Sequence, residues 1–305
     1  MESSGFRHEA LIYRDGDDFL TAALPFLWQA LEAGEPTLVA VQAANATLLE
    51  GELGRDAEAV RFADIEALGR NPARIIPFWR QFVDEHAGEP VRGIGEPVWP
   101  GRRPDEIDEC QRHESLLNLA FSPPPAWSLL CPYDAGGLDD EVLEAVVHSH
   151  QAIERDGARE ECCDGPTEAG HFGGSLSQRP AGCEPFEFDR TGLFAVRQRV
   201  SWLAKSAGLP LQGTTDLVVA ASELAANSIV HGGGAGTLHA WREDGRLLVE
   251  VEDRGTIEEP LVGRVRPLPT QVGGRGLWLA NQFCDLVQIR SGSSGTAVRL
   301  QMAVA

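Results

Sequence analysis

Lysine is almost missing from this sequence, with Lys205 the only one in 305 residues. That scarcity removes two common ways of handling a triphosphate. A P-loop needs Gly-Lys-Ser/Thr after a strand, and a eukaryotic-type protein kinase needs a strand lysine beside the phosphates. Lys205 follows Trp202-Leu203-Ala204 in a helical pattern and suits neither role. Long apolar runs are also lacking, and none approaches the roughly 20 residues of a membrane span. Residues 1–9 carry acid and serine rather than a basic and then apolar leader. The expectation is a cytoplasmic protein that does not engage a membrane. Positive charge is scarce as well: 26 Lys and Arg stand against 46 Asp and Glu, a formal net charge of −20. Phosphate-backbone affinity comes mainly from clustered Lys and Arg, so direct nucleic-acid binding is not expected. The acidic excess reads as a solubilising surface, or as one suited to a basic protein partner.

Six cysteines without a secretory context predict reduced thiols. Cys131 and Cys284 sit in apolar stretches and are expected to pack as core residues. Cys162-Cys163, His171 and Cys183 share one loop-like segment, and Cys110 stands apart. Their spacing fits no standard zinc pattern.

Periodicity divides the chain into residues 1–150, a linker at 151–183 and residues 184–305. In the first part, strand patterns at 10–13, 37–41, 60–62, 91–94 and 127–131 alternate with helical ones. Asp15-Gly16-Asp17-Asp18 can cap the first helix, which stops at Gly34. The alternation predicts an α/β domain with a mostly parallel, Rossmann-like sheet covered on both faces. The middle segment holds Asp-Gly, Gly-Pro and Gly-Gly dipeptides without apolar periodicity. The last part reads as an α+β layer: a short strand, helices at 193–207 and 214–231, a hairpin turning at Glu243-Asp244-Gly245, a Pro/Gly-rich loop, a helix ending at Cys284 and two final strands.

Three segments of this last part carry chemistry. In Ser222-Glu223-Leu224-Ala225-Ala226-Asn227, Glu223 and Asn227 lie four apart and project from one helix face, while Leu217, Ala221 and Leu224 face the core. An amide oxygen is a hard ligand suited to Mg2+, and a nearby carboxylate can take a proton from an attacking hydroxyl. A solvated helix face is the alternative. Asp253, at the end of a strand and followed by Arg254-Gly255, could accept a hydrogen bond from a purine amino group. Gly273-Gly274-Arg275-Gly276, immediately before a helix, offers backbone N–H groups and the positive helix end to phosphate.

Their order, closed by Gly295-Thr296 on a terminal strand, resembles the Bergerat-fold (GHKL) ATPases over about 120 residues. The Glu-Leu-x-x-Asn form and the stretch from Gly273 to Asp285 are similar to the bacterial anti-sigma-factor serine kinases. The resemblance implies ATP and Mg2+ as cofactors, Asn227 on the metal and Glu223 as general base toward a protein serine. It further implies Asp253, Gly255 and Thr296 around the adenine, Gly274, Arg275 and Gly276 at the phosphates, and a mobile lid from Arg254 to Val272. The implied partners are a sigma factor and a STAS-type anti-anti-sigma protein, with homodimerisation left open. One departure is visible: Ile257 stands where the family's second glycine of Asp-x-Gly-x-Gly would be.

The first 150 residues resemble the MEDS sensory domain through His8 to Tyr13, Pro25-Phe26, Gly34-Glu35, Gly93 to Trp99, His113 to Asn118 and Leu130 to Asp134. A small-molecule site among Glu96, Trp99, His113 and Asp134 is one expectation, since ligands of doubly wound sheets bind outside the carboxyl ends of the strands. A purely structural role for these residues is the other. A non-catalytic binding switch and a histidine kinase using His113 are alternatives for the whole chain, although His113 falls inside the α/β pattern. His148 and His150 are expected to end a helix, where positive charge suits the dipole.

Overall fold

The structure is a computed structural model that describes residues 5–122, 125–162, 172–268, 270 and 274–304. Cys163, His171, Val272 and Gly273 lie outside the described residues. The chain divides into two compact units, residues 1–168 and 169–305.

The first unit winds β1 (Phe6–Tyr13), α1 (Gly16–Ala33), β2 (Thr37–Val41), α2 (Ala43–Leu53), β3 (Val60–Asp64), α3 (Ile65–Leu68), α4 (Ile75–Glu85), β4 (Val91–Gly95), α5 (Pro104–Ala120), β5 (Trp127–Asp134), α6 (Asp140–Ala145), β6 (Ala152–Arg155) and β7 (Ala158–Glu161). Its seven strands are ordered β3-β2-β4-β5-β1-β6-β7. Every pairing is parallel except that of β6 with β7. Such a sheet needs apolar residues on both faces, and β2 is accordingly buried at all five positions. The Asp15 side chain accepts from Asp18 N at 2.9 Å to start α1, and Gly34, with φ 69°, ends it in the left-handed conformation.

The β6–β7 hairpin corrects the linker expectation for residues 151–161. Asp156 and Gly157 have φ of 52° and 73° between the paired residues Arg155 and Ala158. Two left-handed residues form the tight turn whose twist matches that of the flanking strands. The predicted helix to residue 150 is also shorter: α6 ends at Ala145 and a 3-10 turn, Val146–His148, follows. His150 does bond a carbonyl of that turn, Val146 O at 2.9 Å, but its ring is buried rather than exposed at a helix end.

The second unit holds β8 (Phe186–Asp189), α7 (Leu193–Ser206), α8 (Leu211–Val230), β9 (Ala235–Glu243), β10 (Arg246–Asp253), α9 (Gly276–Phe283), β11 (Leu286–Gly292) and β12 (Gly295–Ala303). The sheet order is β11-β12-β10-β9-β8, antiparallel throughout. Strand alternation sends Val249, Val251, Val298 and Leu300 into a core shared with Val196 and Val200 of α7, Leu217, Ala221 and Leu224 of α8, and Leu277 of α9. The alternate residues Glu250 and Arg299 lie on the other face, yet both are buried. Residues 172–183, also expected as linker, lie against that face. Phe172 O accepts from Ser291 N at 3.2 Å, and Ser177 takes two hydrogen bonds from Arg299 at 2.6 and 2.8 Å. Arg179 grips Glu252 with both terminal nitrogens at 3.1 and 3.0 Å. No described helix is long and apolar enough to cross a membrane.

Candidate nucleotide site

Helix α8 runs beneath the sheet with its alanines inward and its Glu223/Asn227 edge toward α9. Gly276, the first residue of α9, meets that edge: a Cβ there would lie 3.1 Å from Asn227 Nδ2 and 3.1 Å from Glu223 Oε2. A larger residue there would crowd the polar pair and force it to give way. Leu279 N closes the first turn on Arg275 O at 2.8 Å, so the amides of Gly276, Leu277 and Trp278 have no acceptor within their own helix. Glu223 and Asn227 are half-buried, and neither side chain has a hydrogen-bond partner among the described residues.

A cavity of about 280 Å³ opens beside them, lined by Asn227, Ser228, His231, Gly232, Asp253, Gly255, Gly274, Gly276, Leu277 and Thr296, among others. Six of the eight residues singled out by the sequence therefore share one cavity. Glu223 stands at its edge beside Gly276. Arg275 is not among the lining residues; its guanidinium reaches Leu268 O at 3.5 Å.

Asp253 is held at both oxygens. Ser228 Oγ donates to Oδ2 at 2.7 Å, and Gly255 N donates to Oδ1 at 2.8 Å. Thr296 Oγ1 donates to Gly255 O at 2.8 Å. Its oxygen must then accept from Ser291 Oγ, 2.7 Å away, and Ser291 Oγ in turn accepts from Ile257 N at 2.8 Å. This chain fastens the 253–257 loop to β11 and β12. Sequence reasoning missed Ser228 and Ser291, although Ser228 is one residue past Asn227 and on the same helix. Gly232 was missed too: a Cβ there would come within 2.3 Å of Asp253 Cγ. Ile257, in place of the second glycine, packs against the core and adds an apolar wall to the cavity. The expected lid segment contributes Thr256, Ile257, Glu258, Glu259 and Val262 to the lining, and Asn281 Nδ2 pins it at Gly263 O with a 2.9 Å bond.

The residues expected to form a ligand crevice in the first unit are arranged differently. Glu96 has no exposed surface; it accepts from Tyr13 OH at 3.1 Å, Gln42 N at 2.9 Å and Asn45 Nδ2 at 3.1 Å. Burial raises its carboxyl pKa, against the lowering effect of these donors. The Trp99 ring stacks under the Arg102 guanidinium at 3.4 Å. Asp134 caps its own turn through Gly136 N at 2.8 Å, and His113 is buried. A cavity of about 140 Å³ in this unit is instead lined by Gln111, Glu114, Tyr133 and Ser149, among others, and by none of those four. Cys110 packs with its thiol on Pro97 O at 3.2 Å, and burial pushes its pKa up to about 12. Cys284 is buried in the core as expected. Cys131 is buried as well, but its sulfur lies 3.3 Å from His8 Nε2 rather than among apolar groups alone.

An antiparallel sheet backed by helices thus carries a helix Glu/Asn pair, a strand-end Asp and a glycine-led helix around one cavity. Residues 186–302 match the family profile of the histidine kinase-like ATPase domain. Residues 7–151 match that of the MEDS domain, the MEthanogen/methylotroph, DcmR Sensory domain. The chain thus joins an N-terminal MEDS domain to a C-terminal histidine kinase-like ATPase domain, and the latter implies ATP binding. No curated protein matches the chain. Among solved structures, the RsbU and RsbW domains of Rv1364c from Mycobacterium tuberculosis are similar at 23% identity with a TM-score of 0.30. That match covers 41% of this chain and 34% of the other.

Proposed function

We propose that the C-terminal domain binds ATP with Mg2+ and phosphorylates a serine of a STAS-type anti-anti-sigma protein. The chain itself holds a sigma factor when that antagonist is phosphorylated. The observation that carries this reading is the Glu223/Asn227 pair, one helical turn apart, without side-chain hydrogen-bond partners among the described residues and against the first-turn amides of α9. The residues fit the group: an amide oxygen for the metal, glycine-led amides for the phosphates and an Asp carboxylate for the adenine amino group. Bound Mg2+ would neutralise charge on the phosphates. Asn227 would hold it, with Gly274, Arg275 and Gly276 beside the phosphates, and Asp253, Gly255 and Thr296 would orient the base. Glu223 would accept the serine proton as the serine oxygen bonds the γ-phosphorus and the bond to ADP breaks. Residues 1–150 would form the regulatory domain, sensing a small molecule, and residues 184–305 the kinase. The reading places both in the cytoplasm, with a homodimer as one assembly to test.

Incubating the chain with ATP, Mg2+ and its antagonist should yield an acid-stable phosphoserine on the antagonist, read by mass spectrometry. Glu223→Ala should slow transfer by roughly 10²–10⁴-fold, the usual worth of a general base, with nucleotide binding retained. Equal transfer by a folded Glu223→Ala protein would sink the assignment. Ile257 in place of a lid glycine favours a second reading, a switch that binds its partner according to nucleotide occupancy without turnover. Tight partner binding with no transfer under any condition would establish that reading instead.

A further inference from the structure

The MEDS domain gathers four side chains from four distant segments at one buried point. His8 comes from β1, Glu114 from α5, Cys131 from β5, and His150 from the segment entering β6. One donor atom from each lies within 4.8 Å of all the others, and all four residues are buried. His8 Nε2 is 3.2 Å from Glu114 Oε2 and 3.3 Å from Cys131 Sγ, and His150 Nε2 is 3.0 Å from the same Glu114 oxygen. Zinc bonds of ~2.0–2.3 Å to N, O and S set the edges of a tetrahedron at roughly 3.3–3.8 Å, and these three contacts lie at or just inside that spacing, so small side-chain shifts would admit an ion.

The orientation of His150 aims a second imidazole nitrogen at Glu114. Its Nδ1 lies 3.1 Å from Ser149 Oγ and 2.9 Å from Val146 O, and since a carbonyl can only accept, Nδ1 carries a proton directed at Val146 O. Nε2 then faces a Glu114 carboxylate oxygen 3.0 Å away, a contact that needs a proton or a cation between the two atoms. The ring has no exposed surface, so bulk water does not fill that role. A buried contact left with neither is costly, and a cation between the two atoms removes that cost.

We propose that His8, Glu114, Cys131 and His150 form a tetrahedral site for a divalent transition metal, with zinc the best match to two imidazoles, a carboxylate and a thiolate. The surroundings suit that use. Val146 O fixes the ring of His150, and Tyr133 OH donates to Glu114 Oε2 at 3.0 Å, the outer contacts that orient metal ligands. One carboxylate and one thiolate neutralise a dication, so the filled site brings no net charge into the interior. Glu114, with Tyr133 and Ser149, borders the cavity of about 140 Å³, which gives an ion its approach. The site would bind the entry of β6 to β1, α5 and β5, and so fix the added hairpin to the parallel sheet.

The test uses the full chain, stripped with chelator and titrated with Co2+. Tetrahedral cobalt bound to a thiolate should give a near-ultraviolet sulfur-to-metal band and intense visible bands that saturate at one equivalent. Cys131→Ser should remove the near-ultraviolet band, and His150→Gln should weaken Co2+ binding by roughly tenfold or more. The triple variant Cys162→Ser, Cys163→Ser, Cys183→Ser should keep every band, and its spectrum remains decisive even where Cys131→Ser fails to fold. The proposal is overturned if chain folded by circular dichroism gains no bands at one equivalent. It is equally overturned if the sulfur band survives Cys131→Ser or vanishes in the triple variant.

Discussion

Two glutamates show how differently the halves of this chain use a carboxylate. Glu96 is sealed under the carboxyl ends of β1, β2 and β4, with Tyr13, Gln42 and Asn45 all donating to it. Glu223 is half-buried, has no hydrogen-bond partner among the described residues, and abuts the glycine that opens α9. A carboxylate whose acceptor sites are filled by its own protein holds elements together. One left unfilled beside a cavity is available to a ligand or a proton. Glu250 repeats the first pattern in the second unit, where Arg299 binds it through Nε at 2.7 Å and stacks on Trp241 beneath Ser177.

The contrast can be broken by removing one partner at a time. Arg299→Ala leaves the buried Glu250 charge with the longer 3.5 Å contact to Arg179 Nε, and should cost up to about 3 kcal/mol in urea unfolding. A loss under about 1 kcal/mol would show that the strap of residues 172–183 does not seal this pair. Glu96 should show itself in the pH dependence. Its folded pKa is raised above the unfolded one, so the wild type loses stability as pH climbs from the ordinary carboxylate range through that raised value. Glu96→Gln removes that slope, whatever its absolute stability, and parallel curves for the two proteins would contradict the burial argument. Glu223→Ala should change unfolding free energy least, by no more than about 0.5 kcal/mol, because no hydrogen-bond partner among the described residues is lost.

Much of the candidate site was legible because its residues come as short motifs on single elements: Glu223 and Asn227 on one helix, Asp253 and Gly255 at one strand end. The supporting contacts were not. Ser228 is indistinguishable from any helix serine until the fold brings Asp253 to it, and Ser291 acts only across the β11–β12 pairing. The alternation of strands and helices gave the parallel sheet of the first unit, yet β6 and β7 escaped. Asp156-Gly157 is the same turn signal that correctly marked Asp244-Gly245. The hairpin differs in that β7 is exposed at all four positions, so no apolar alternation framed the turn. The cluster of His8, Glu114, Cys131 and His150 left no spacing pattern at all, since its members lie on four segments as much as 142 positions apart. Attention to His113 as a phospho-acceptor missed that its neighbour, Glu114, is the residue to which the others point.

The proposal that Asn227 grips a metal-bound triphosphate is tested most directly by isothermal titration with ATP, in Mg2+ and then in excess EDTA. Wild-type chain should bind one nucleotide with an affinity that falls when Mg2+ is chelated, and Asn227→Ala should lose that metal-dependent gain. Folded wild-type chain that releases no heat with MgATP, or a variant whose two titrations match those of the wild type, would contradict it.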